Sequence, residues 1–266
     1  MTDLLKVLAV GDLVGSPGRR AVHALLPGLV EREGVGLTVV NAENAAGGSG
    51  LTPEIVRELL DAGCGCLTTG DHVYKNRAVL EIIEAESRLL RPANLAAGAP
   101  GRGWTMLDAP GGVRVAVVNL LGRAFLGTAN NPFECAEKVL AAVGDDADLV
   151  LLDFHAEATA EKIAMGHFLD GRAAAVWGTH THVQTADETI LPGGTGYLTD
   201  LGMTGGHDGV IGRRAAEVVE HLVKDIPTRW EIAKGDVRLS GALFTLDVAS
   251  KRCVDVRRIQ ERLAGR

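Results

Sequence analysis

The sequence has few cysteines, no excess of basic residues and no long apolar segment. Its 266 residues include 4 cysteines, and 27 Lys and Arg stand against 34 Asp and Glu, for a net charge of −7. Such an acidic chain is not expected to bind nucleic-acid backbones stably, because that needs a basic domain or stripe. No apolar run approaches the roughly 18 residues of a membrane span, and no basic segment leads into a signal-peptide core at the N-terminus. We therefore expect a cytoplasmic protein that does not bind membranes.

Two segments of this sequence resemble functional motifs but do not match them. Cys64 and Cys66 lie in a Cys-Gly-Cys stretch, which is too close for an ordinary disulfide and differs from the Cys-x-x-Cys of redox and zinc sites. We expect them to be buried free thiols. The small-residue run at 45–50 lacks the Gly-Lys-Ser/Thr ending of a phosphate loop, which excludes a nucleoside-triphosphate site of that type.

Short β-branched runs alternate with helical patterns along most of the chain, which predicts an α/β fold. Pro110-Gly111-Gly112 joins two such runs as a hairpin, so some pairing is antiparallel. We predict two mixed sheets packed face to face with helices outside, in a single domain over 1–266. The predicted strands are 4–10, 37–40, 64–69, 104–109, 113–121, 148–155, 173–177, 229–233, 239–248 and 254–259. The predicted helices are 21–29 after Pro17, Thr52 to just before Gly63, and the segments around 78–85, 132–143, 159–169 and 213–223.

Five predicted strand ends carry carboxylate, amide or imidazole side chains. Open α/β folds bind ligands at the carboxyl ends of their strands, so these groups are expected to converge. Taken singly, these residues also fit ordinary structural roles. Asp12 also fits the cap of the next helix, His155 also fits a hydrogen-bonded packing residue, and His180 and His182 also fit a surface loop without function. Five such placements together favour a site. The residues are Asp12, Glu43 with Asn44, Asp71 with His72, His155, and His180 with His182.

This set contains more ligands than a single divalent ion normally takes. Two ions bridged by a carboxylate would use them all, and ions about 3.5–4 Å apart stabilise the attacking and leaving oxygens of phosphoryl hydrolysis. The count therefore predicts a binuclear metal site.

Long motifs around these residues resemble the YmdB-like branch of the calcineurin-like metallophosphoesterases. The similarity runs nearly end to end, through the segments 11–19, 41–48, 90–94, 153–157 and 178–187. The resemblance implies a four-layer α/β/β/α sandwich, a di-metal centre that is di-iron in this branch, and phosphodiesterase activity toward cyclic nucleotides. By position, it implies one metal on Asp12, Asn44 and His182, a second on His155 and His180, Glu43 as the bridge, and His72 as the proton donor to the leaving oxygen.

The sequence departs from the family pattern at one site position. The family motif there is Gly-Asn-His, whereas this chain has Gly70-Asp71-His72. An aspartate still coordinates, but its added negative charge is expected to tighten metal binding and to lower the Lewis acidity felt by a bridging water. It also favours the protonated form of His72. The wider superfamily opens with Asp-x-His, and here Val14 stands in place of that histidine, as in the rest of this branch.

We therefore expect a binuclear metal phosphodiesterase that hydrolyses small phosphodiesters, with cyclic nucleotides as the favoured substrates. A hydroxide bridging the ions would attack phosphorus in line while His72 protonates the leaving alkoxide. Iron is the expected metal, with manganese and zinc as alternatives, because carboxylate, amide and imidazole ligands suit all three. The competing interpretations are a regulatory nucleotide- or partner-binding protein with an attenuated metal site, and an unrelated metal hydrolase such as an amidase.

Three further features are weaker candidates. Arg91 and Arg123 adjoin apolar stretches and would suit a substrate phosphate, although solvated or salt-bridged arginines are more common. The segment 202–207 is either a flexible pocket wall or an unrelated glycine-rich loop. The terminal strands would offer free edges to a second copy, so a homo-oligomer is possible.

Overall fold

The computed structural model describes residues 4–127 and 129–264. Its helices are α1 (Gly15–Glu33), α2 (Pro53–Asp61), α3 (Pro132–Val143), α4 (Thr159–Phe168) and α5 (Ala215–Lys224). Its strands are β1 (Leu4–Val10), β2 (Asp12–Leu13), β3 (Leu37–Asn41), β4 (Cys66–Thr68), β5 (Trp104–Ala109), β6 (Val113–Leu121), β7 (Leu149–His155), β8 (Ala175–Thr179), β9 (Thr189–Ile190), β10 (Gly196–Leu198), β11 (Met203–Gly206), β12 (Val237–Asp247) and β13 (Arg252–Arg262).

The strands form two mixed sheets. The first has the order β2-β11-β12-β1-β3-β4, with β13 on β12, and the second has the order β5-β6-β7-β8-β10-β9. In the first sheet, β1, β3 and β4 are parallel, as are β6, β7, β8 and β10 in the second. The register aligns Val40 with Leu67 and His155 with Thr179. Consequently the carboxyl ends of the parallel strands lie level within each sheet.

The buried side chains form three layers between and outside the sheets. Alternate residues of β1 point to opposite faces, as the pleat requires: Leu8 and Val10 pack toward α1 and α2, whereas Val7 and Ala9 pack toward the second sheet. The middle layer joins these residues to apolar side chains of β6, β7 and β8, and a third layer lies under α3 and α4. The predicted four-layer α/β/β/α sandwich of two mixed sheets is confirmed.

Several helix boundaries follow from the local sequence as predicted. The Thr52 side chain accepts a hydrogen bond from the backbone N–H of Ile55, with Pro53 in the first turn of α2. Asn131 caps α3 in the same way, ahead of Pro132. Among the described helices, none has the combined length and apolarity needed to cross a membrane. Cys64 and Cys66 are buried and free, as expected.

Three segments differ from the sequence-based predictions. The predicted helix at 78–85 is a 3₁₀ helix (Arg77–Glu81) that begins at the Asn76 cap and ends before Ile82, and Val79 and Ile83 are buried in the core. The predicted strand at 229–233 contributes only an isolated bridge between Ile232 and Arg213, on a largely exposed segment. Conversely, the glycine-rich region at 193–212 contains the buried strands β10 and β11, which are too short to show a period.

Candidate metal centre

All eight predicted site residues lie at one edge of the molecule, where the carboxyl ends of the two sheets meet. The first sheet supplies five of them, from the start of β2 and from the segments after β3 and β4, and the second sheet supplies three, from the end of β7 and the segment after β8. From the first sheet come Asp12, Glu43, Asn44, Asp71 and His72. From the second come His155, His180 and His182. The contacts between them join the sheets across the top of the middle core layer.

One group of four side chains has the geometry of a cation site. Ligand atoms of Glu43, Asp71, His155 and His180 all lie within 4.8 Å of one another. His155 Nε2 is 3.3 Å from Glu43 Oε1, 3.3 Å from Asp71 Oδ1 and 3.0 Å from His180 Nδ1. Carboxylate oxygens and imidazole nitrogens in this arrangement suit iron, manganese or zinc.

A second group adjoins the first and shares Glu43 with it. Asp12 Oδ1 lies 3.7 Å from His182 Nε2, and the Asn44 amide nitrogen lies 3.3 Å from the same nitrogen. The Asn44 amide also contacts Glu43 Oε1 at 3.1 Å. Among the described residues, Asp12 Oδ1 is a buried carboxylate oxygen with no hydrogen-bond donor. An unpaired buried carboxylate oxygen is costly, so this position fits a cation.

The tautomer of His155 follows from its hydrogen bonds. The hydroxyl of Thr179 has one proton, which it donates to Asp153 Oδ1 at 2.7 Å. That hydroxyl must therefore accept the bond from His155 Nδ1, at 2.9 Å. When the His155 ring is neutral, its proton is consequently on Nδ1 and its Nε2 lone pair faces the four-residue group.

The other two histidines are oriented by the same principle. His180 Nε2 lies 3.0 Å from Glu157 Oε2, and His182 Nδ1 lies 3.1 Å from the carbonyl oxygen of Ile211. Both partners only accept hydrogen bonds in these contacts, so these nitrogens carry the protons. His180 Nδ1 and His182 Nε2 are left as lone-pair nitrogens facing the carboxylates. An outer acceptor that fixes the ring is the usual support of a metal-binding histidine.

Burial and mutual charge shift the pKa values of this cluster. Burial opposes ionisation of Glu43, but the facing imidazoles of His155 and His72 outweigh it and hold the pKa of Glu43 well below its usual range. Burial likewise opposes protonation of His155, and Glu43, Asp71 and Asp12 overcome it and raise the pKa of His155 well above its usual range. For Asp12, burial dominates and raises the pKa.

His72 lies at the open side of the cluster. Its Nδ1 is 2.9 Å from Asn44 Oδ1 and 3.3 Å from Glu43 Oε1, and its Nε2 is 3.4 Å from Asp71 Oδ2. The side chain is 33% exposed, so an incoming ligand can reach it. The hydrogen bond with Glu43 is the main cause of a raised His72 pKa, and the charge of Asp71 adds to it. The expected influence of Asp71 is thus present but secondary to that of Glu43.

The backbone of the site departs from ordinary strand and turn geometry. His180 and His182 have φ values of 100° and 64°, in the left-handed region that non-glycine residues seldom adopt. At Gly70 the constraint is steric rather than conformational. A Cβ there would lie 2.2 Å from His155 Cδ2 and 2.4 Å from Glu43 Oε2, so only glycine lets the β4 loop approach the ligands this closely.

Sequence reasoning did not single out the residues that support the histidines. Asp153 is fully buried beneath His155 and accepts hydrogen bonds from Thr68, Thr179 and Asn41. Burial raises the pKa of Asp153 to about 6. The available signal was an aspartate inside the apolar run 149–154, two residues before His155. No comparable sequence pattern marks Glu157 or the buried pair of Lys162 and Asp200.

The weaker candidates do not join the cluster. Arg91 is buried and donates to the carbonyl oxygens of Pro92 and Ala93. Arg123 is exposed, and its backbone N–H contacts Glu161. The segment 202–207 is not a flexible wall: it includes the buried strand β11, which pairs with β2 at Asp12.

Comparison with known proteins agrees with this architecture. The model of the YmdB-like protein family matches residues 8–259. The chain belongs to the YmdB-like family. A protein of Bacillus subtilis (strain 168) named 2′,3′-cyclic-nucleotide 2′-phosphodiesterase is 42% identical over 255 residues, which cover 96% of each chain. The predicted family is thereby confirmed.

Two solved structures of similar proteins superimpose over almost the whole chain. A hypothetical protein from Thermus thermophilus has a TM-score of 0.91 at 37% identity, covering 97% of this chain and 99% of its own. A structure described as a novel phosphatase of Mycoplasma pneumoniae has a TM-score of 0.92 at 30% identity, covering 98% and 95%. The two-sheet sandwich is therefore the fold of these relatives as well.

Proposed function

We propose that this member of the YmdB-like family is a metal-dependent phosphodiesterase that hydrolyses small phosphodiesters, with cyclic nucleotides as the favoured class. The observation that carries the proposal is the orientation of the three histidines. Each donates its outer proton to an acceptor and turns a lone-pair nitrogen toward a carboxylate group that includes the unpartnered oxygen of Asp12. The name of the B. subtilis relative supports the choice of phosphodiester and of cyclic nucleotide.

The donor set fits two metal ions that share Glu43. His155, His180 and Asp71 would hold one, and Asp12, Asn44 and His182 the other. Iron is the proposed metal, with manganese and zinc as alternatives. Bound ions would supply Lewis acidity, activating water and neutralising the charge that builds up on phosphoryl oxygens.

The protein's own contribution to bond cleavage is assigned to His72. A leaving alkoxide needs a proton, and a group near its own pKa at neutral pH supplies it best. The contact with Glu43 raises the pKa of His72, so its protonated form is populated closer to neutrality than in an ordinary histidine. Its partial exposure leaves it accessible to the leaving group.

The first experiment measures bound metal and diesterase activity in the same preparations. Protein purified from its own cells is analysed for metals and then assayed with 2′,3′- and 3′,5′-cyclic nucleotides, a chromogenic bis-aryl phosphodiester and an amide substrate. We expect two ions per chain and cyclic-nucleotide hydrolysis that chelation abolishes and metal restores. Metal-replete protein that is inert on every diester would refute the proposal, and amide hydrolysis alone would favour the amidase interpretation.

A leaving-group comparison tests the role of His72. A nucleoside alkoxide needs protonation more than a nitrophenolate does, so His72→Ala should lower cyclic-nucleotide turnover by about 10²- to 10⁴-fold and aryl-diester turnover much less. His23→Ala is the matched control, since His23 lies on α1 beside Glu58, outside the cluster. Equal losses on both substrates, with unchanged metal content, would remove His72 from the proton-donor role.

Asp71 favours a second candidate function, a regulatory protein whose metal site binds nucleotide or partner with little turnover. Its carboxylate adds a negative charge to the four-residue group, where the family motif has asparagine. Asp71→Asn separates the two functions. A gain in turnover together with weaker metal binding, by about tenfold, would identify an enzyme attenuated by this aspartate. Negligible turnover in both forms, with nucleotide binding retained, would favour the regulatory function.

A further inference from the structure

A buried ion pair lies directly behind the loop that carries His180 and His182. Asp200, just after β10, is 0% exposed, and Lys162 of α4 is 1% exposed. Lys162 Nζ donates to Asp200 Oδ2 at 2.6 Å. The same oxygen accepts the Thr181 hydroxyl at 2.7 Å and the Thr181 backbone N–H at 3.2 Å. Thr181 is the residue between the two histidines, so Asp200 holds the midpoint of the ligand loop.

The second oxygen of Asp200 connects the ligand loop to Asp12 in the first sheet. Oδ1 accepts the backbone N–H of Gly202 at 2.8 Å, and the carbonyl of Gly202 accepts the N–H of Asp12 at 3.0 Å. Asp12 Oδ2 in turn accepts the N–H of His180 at 2.9 Å. These bonds form a closed circuit through Asp200, Thr181, His180, Asp12 and Gly202. One carboxylate thus fixes the relative position of ligands from both sheets.

By itself, a buried ion pair contributes little to the free energy of unfolding. Desolvation of both charges offsets their attraction, and well-packed apolar side chains of similar size often do as well or better. A carboxylate at this position does something that an apolar side chain does not, because it accepts donors from α4, the ligand loop and the segment before β11 together. Lys162 neutralises the negative charge of Asp200, and the Asp200 carboxylate lies close to that of Asp12.

We propose that Asp200, held in place by Lys162, is a positioning residue for the metal centre: it sets the distance between the His180–His182 loop and Asp12. This inference rests on the proposed metal-dependent function. It assigns the pair to metal retention rather than to chemistry, since neither side chain is a ligand in the cluster described above. The strained φ values of His180 and His182 are consistent with a loop held by external contacts.

The test compares Mn²⁺ binding by full-length wild type, Asp200→Asn and Lys162→Met. The asparagine keeps one acceptor oxygen but replaces the other with an amide that cannot accept from Lys162 and Thr181. Asp170→Asn is the matched control, because Asp170 accepts the N–H groups of Gly193 and Thr195 at the opposite end of β10. The measurements are the dissociation constant from chelator competition and the rise in melting temperature caused by Mn²⁺.

We expect Asp200→Asn to raise the dissociation constant for Mn²⁺ by about 10- to 100-fold and to shrink the Mn²⁺-induced rise in melting temperature. Lys162→Met should shift both quantities in the same direction, because Asp200 loses the partner that holds it. Asp170→Asn should lower the melting temperature with and without Mn²⁺ alike and leave the dissociation constant unchanged. If Asp200→Asn does not fold, Thr181→Val gives the second measurement, since it removes the hydroxyl bond alone and should raise the constant by a smaller factor.

Two outcomes overturn the inference, and they are distinguishable. Wild-type protein that binds no Mn²⁺, iron or zinc would refute the proposed function and the inference with it. Wild type that binds Mn²⁺ with the same constant as Asp200→Asn and Thr181→Val would refute the inference alone, and would leave the pair a purely structural element.

Discussion

At the scale of single residues, the proposed metal centre depends on which nitrogen of each histidine carries the proton. His155 ends β7, and His180 and His182 share the loop after β8, yet each has its own acceptor behind its ring: the Thr179 hydroxyl, the Glu157 carboxylate and the Ile211 carbonyl. Each acceptor directs one lone pair inward. The three acceptors differ in exposure, so they are expected to contribute unequally to metal affinity.

Glu157 is an exposed support that acts through its side chain, and it provides a residue-scale prediction. It is 46% exposed and contacts His180 Nε2 at 3.0 Å. Glu157→Leu should weaken metal binding by about tenfold, because His180 loses the acceptor that holds its ring. Glu157→Gln keeps an acceptor oxygen and is the matched control. Metal retained after dialysis against graded chelator measures the effect, and equal retention by both variants would contradict it.

At the scale of elements, the ends of strands and helices determine what the site can be. Loops after β3, β4 and β8 bring ligands together because the strands end level, and Gly70 lets the β4 loop touch His155. Helix α1 illustrates the same dependence on position. Gly28 lies inside the helix with no atom within 4 Å of its missing Cβ, whereas Gly34 ends the helix at φ 66°.

These two glycines predict opposite stability changes. Gly28→Ala should stabilise the protein by about 0.5–1 kcal/mol, because alanine loses less backbone entropy in a helix. Gly34→Ala should destabilise it by about 1–2 kcal/mol, because alanine is strained in the left-handed conformation. Urea unfolding of the chelated protein measures both. Shifts of the same sign in the two variants would show that their surroundings, not backbone conformation, decide the outcome.

Gly70→Ala should act on the site rather than on the fold. The added methyl group would lie 2.2 Å from His155, so either the ring or the loop must move. We expect loss of metal from the four-residue group and loss of phosphodiesterase activity, with far-ultraviolet circular dichroism unchanged. Gly98→Ala, where no atom lies within 4 Å, is the control. Full metal content in Gly70→Ala would contradict this account of the close approach.

At the scale of the whole molecule, the proposed centre links the two sheets. Its first-sheet residues are Asp12, Glu43, Asn44 and Asp71, and its second-sheet residues are His155, His180 and His182. Below them, the sheets contact each other through the apolar middle layer. Metal bound at this edge would therefore stabilise the packed arrangement of both sheets, not one loop alone.

This arrangement predicts a metal-dependent melting temperature. A ligand at 100 times its dissociation constant adds about 2.7 kcal/mol to the free energy of unfolding. For a chain of this size, that corresponds to about 5–10 °C. Differential scanning calorimetry of chelated protein, with and without Mn²⁺, measures the shift. The double variant His155→Ala/His180→Ala should show a much smaller rise, and an equal rise in it would place the stabilising metal elsewhere.

The sequence predicted most of this architecture because its signals are local. Buried parallel strands such as β7 read as continuous apolar runs, and Thr52 and Asn131 with their following prolines define helix starts. The exceptions are segments whose shape depends on distant contacts. Residues 78–85 have helical spacing but form only a short 3₁₀ helix, and β10 and β11 are too short to show a period.

The sequence by itself determined the family, the two-sheet class and the eight residues of the candidate site, because motifs and strand ends are contiguous in the chain. Only the tertiary structure decided how those residues are supported. Glu157 reaches His180 from the end of another strand, Asp153 holds His155 through the hydroxyl of Thr179, and Asp200 reaches Thr181 from beyond β10. Hydrogen-bond direction depends on atoms in space, and no spacing along the chain encodes which nitrogen of a histidine faces inward.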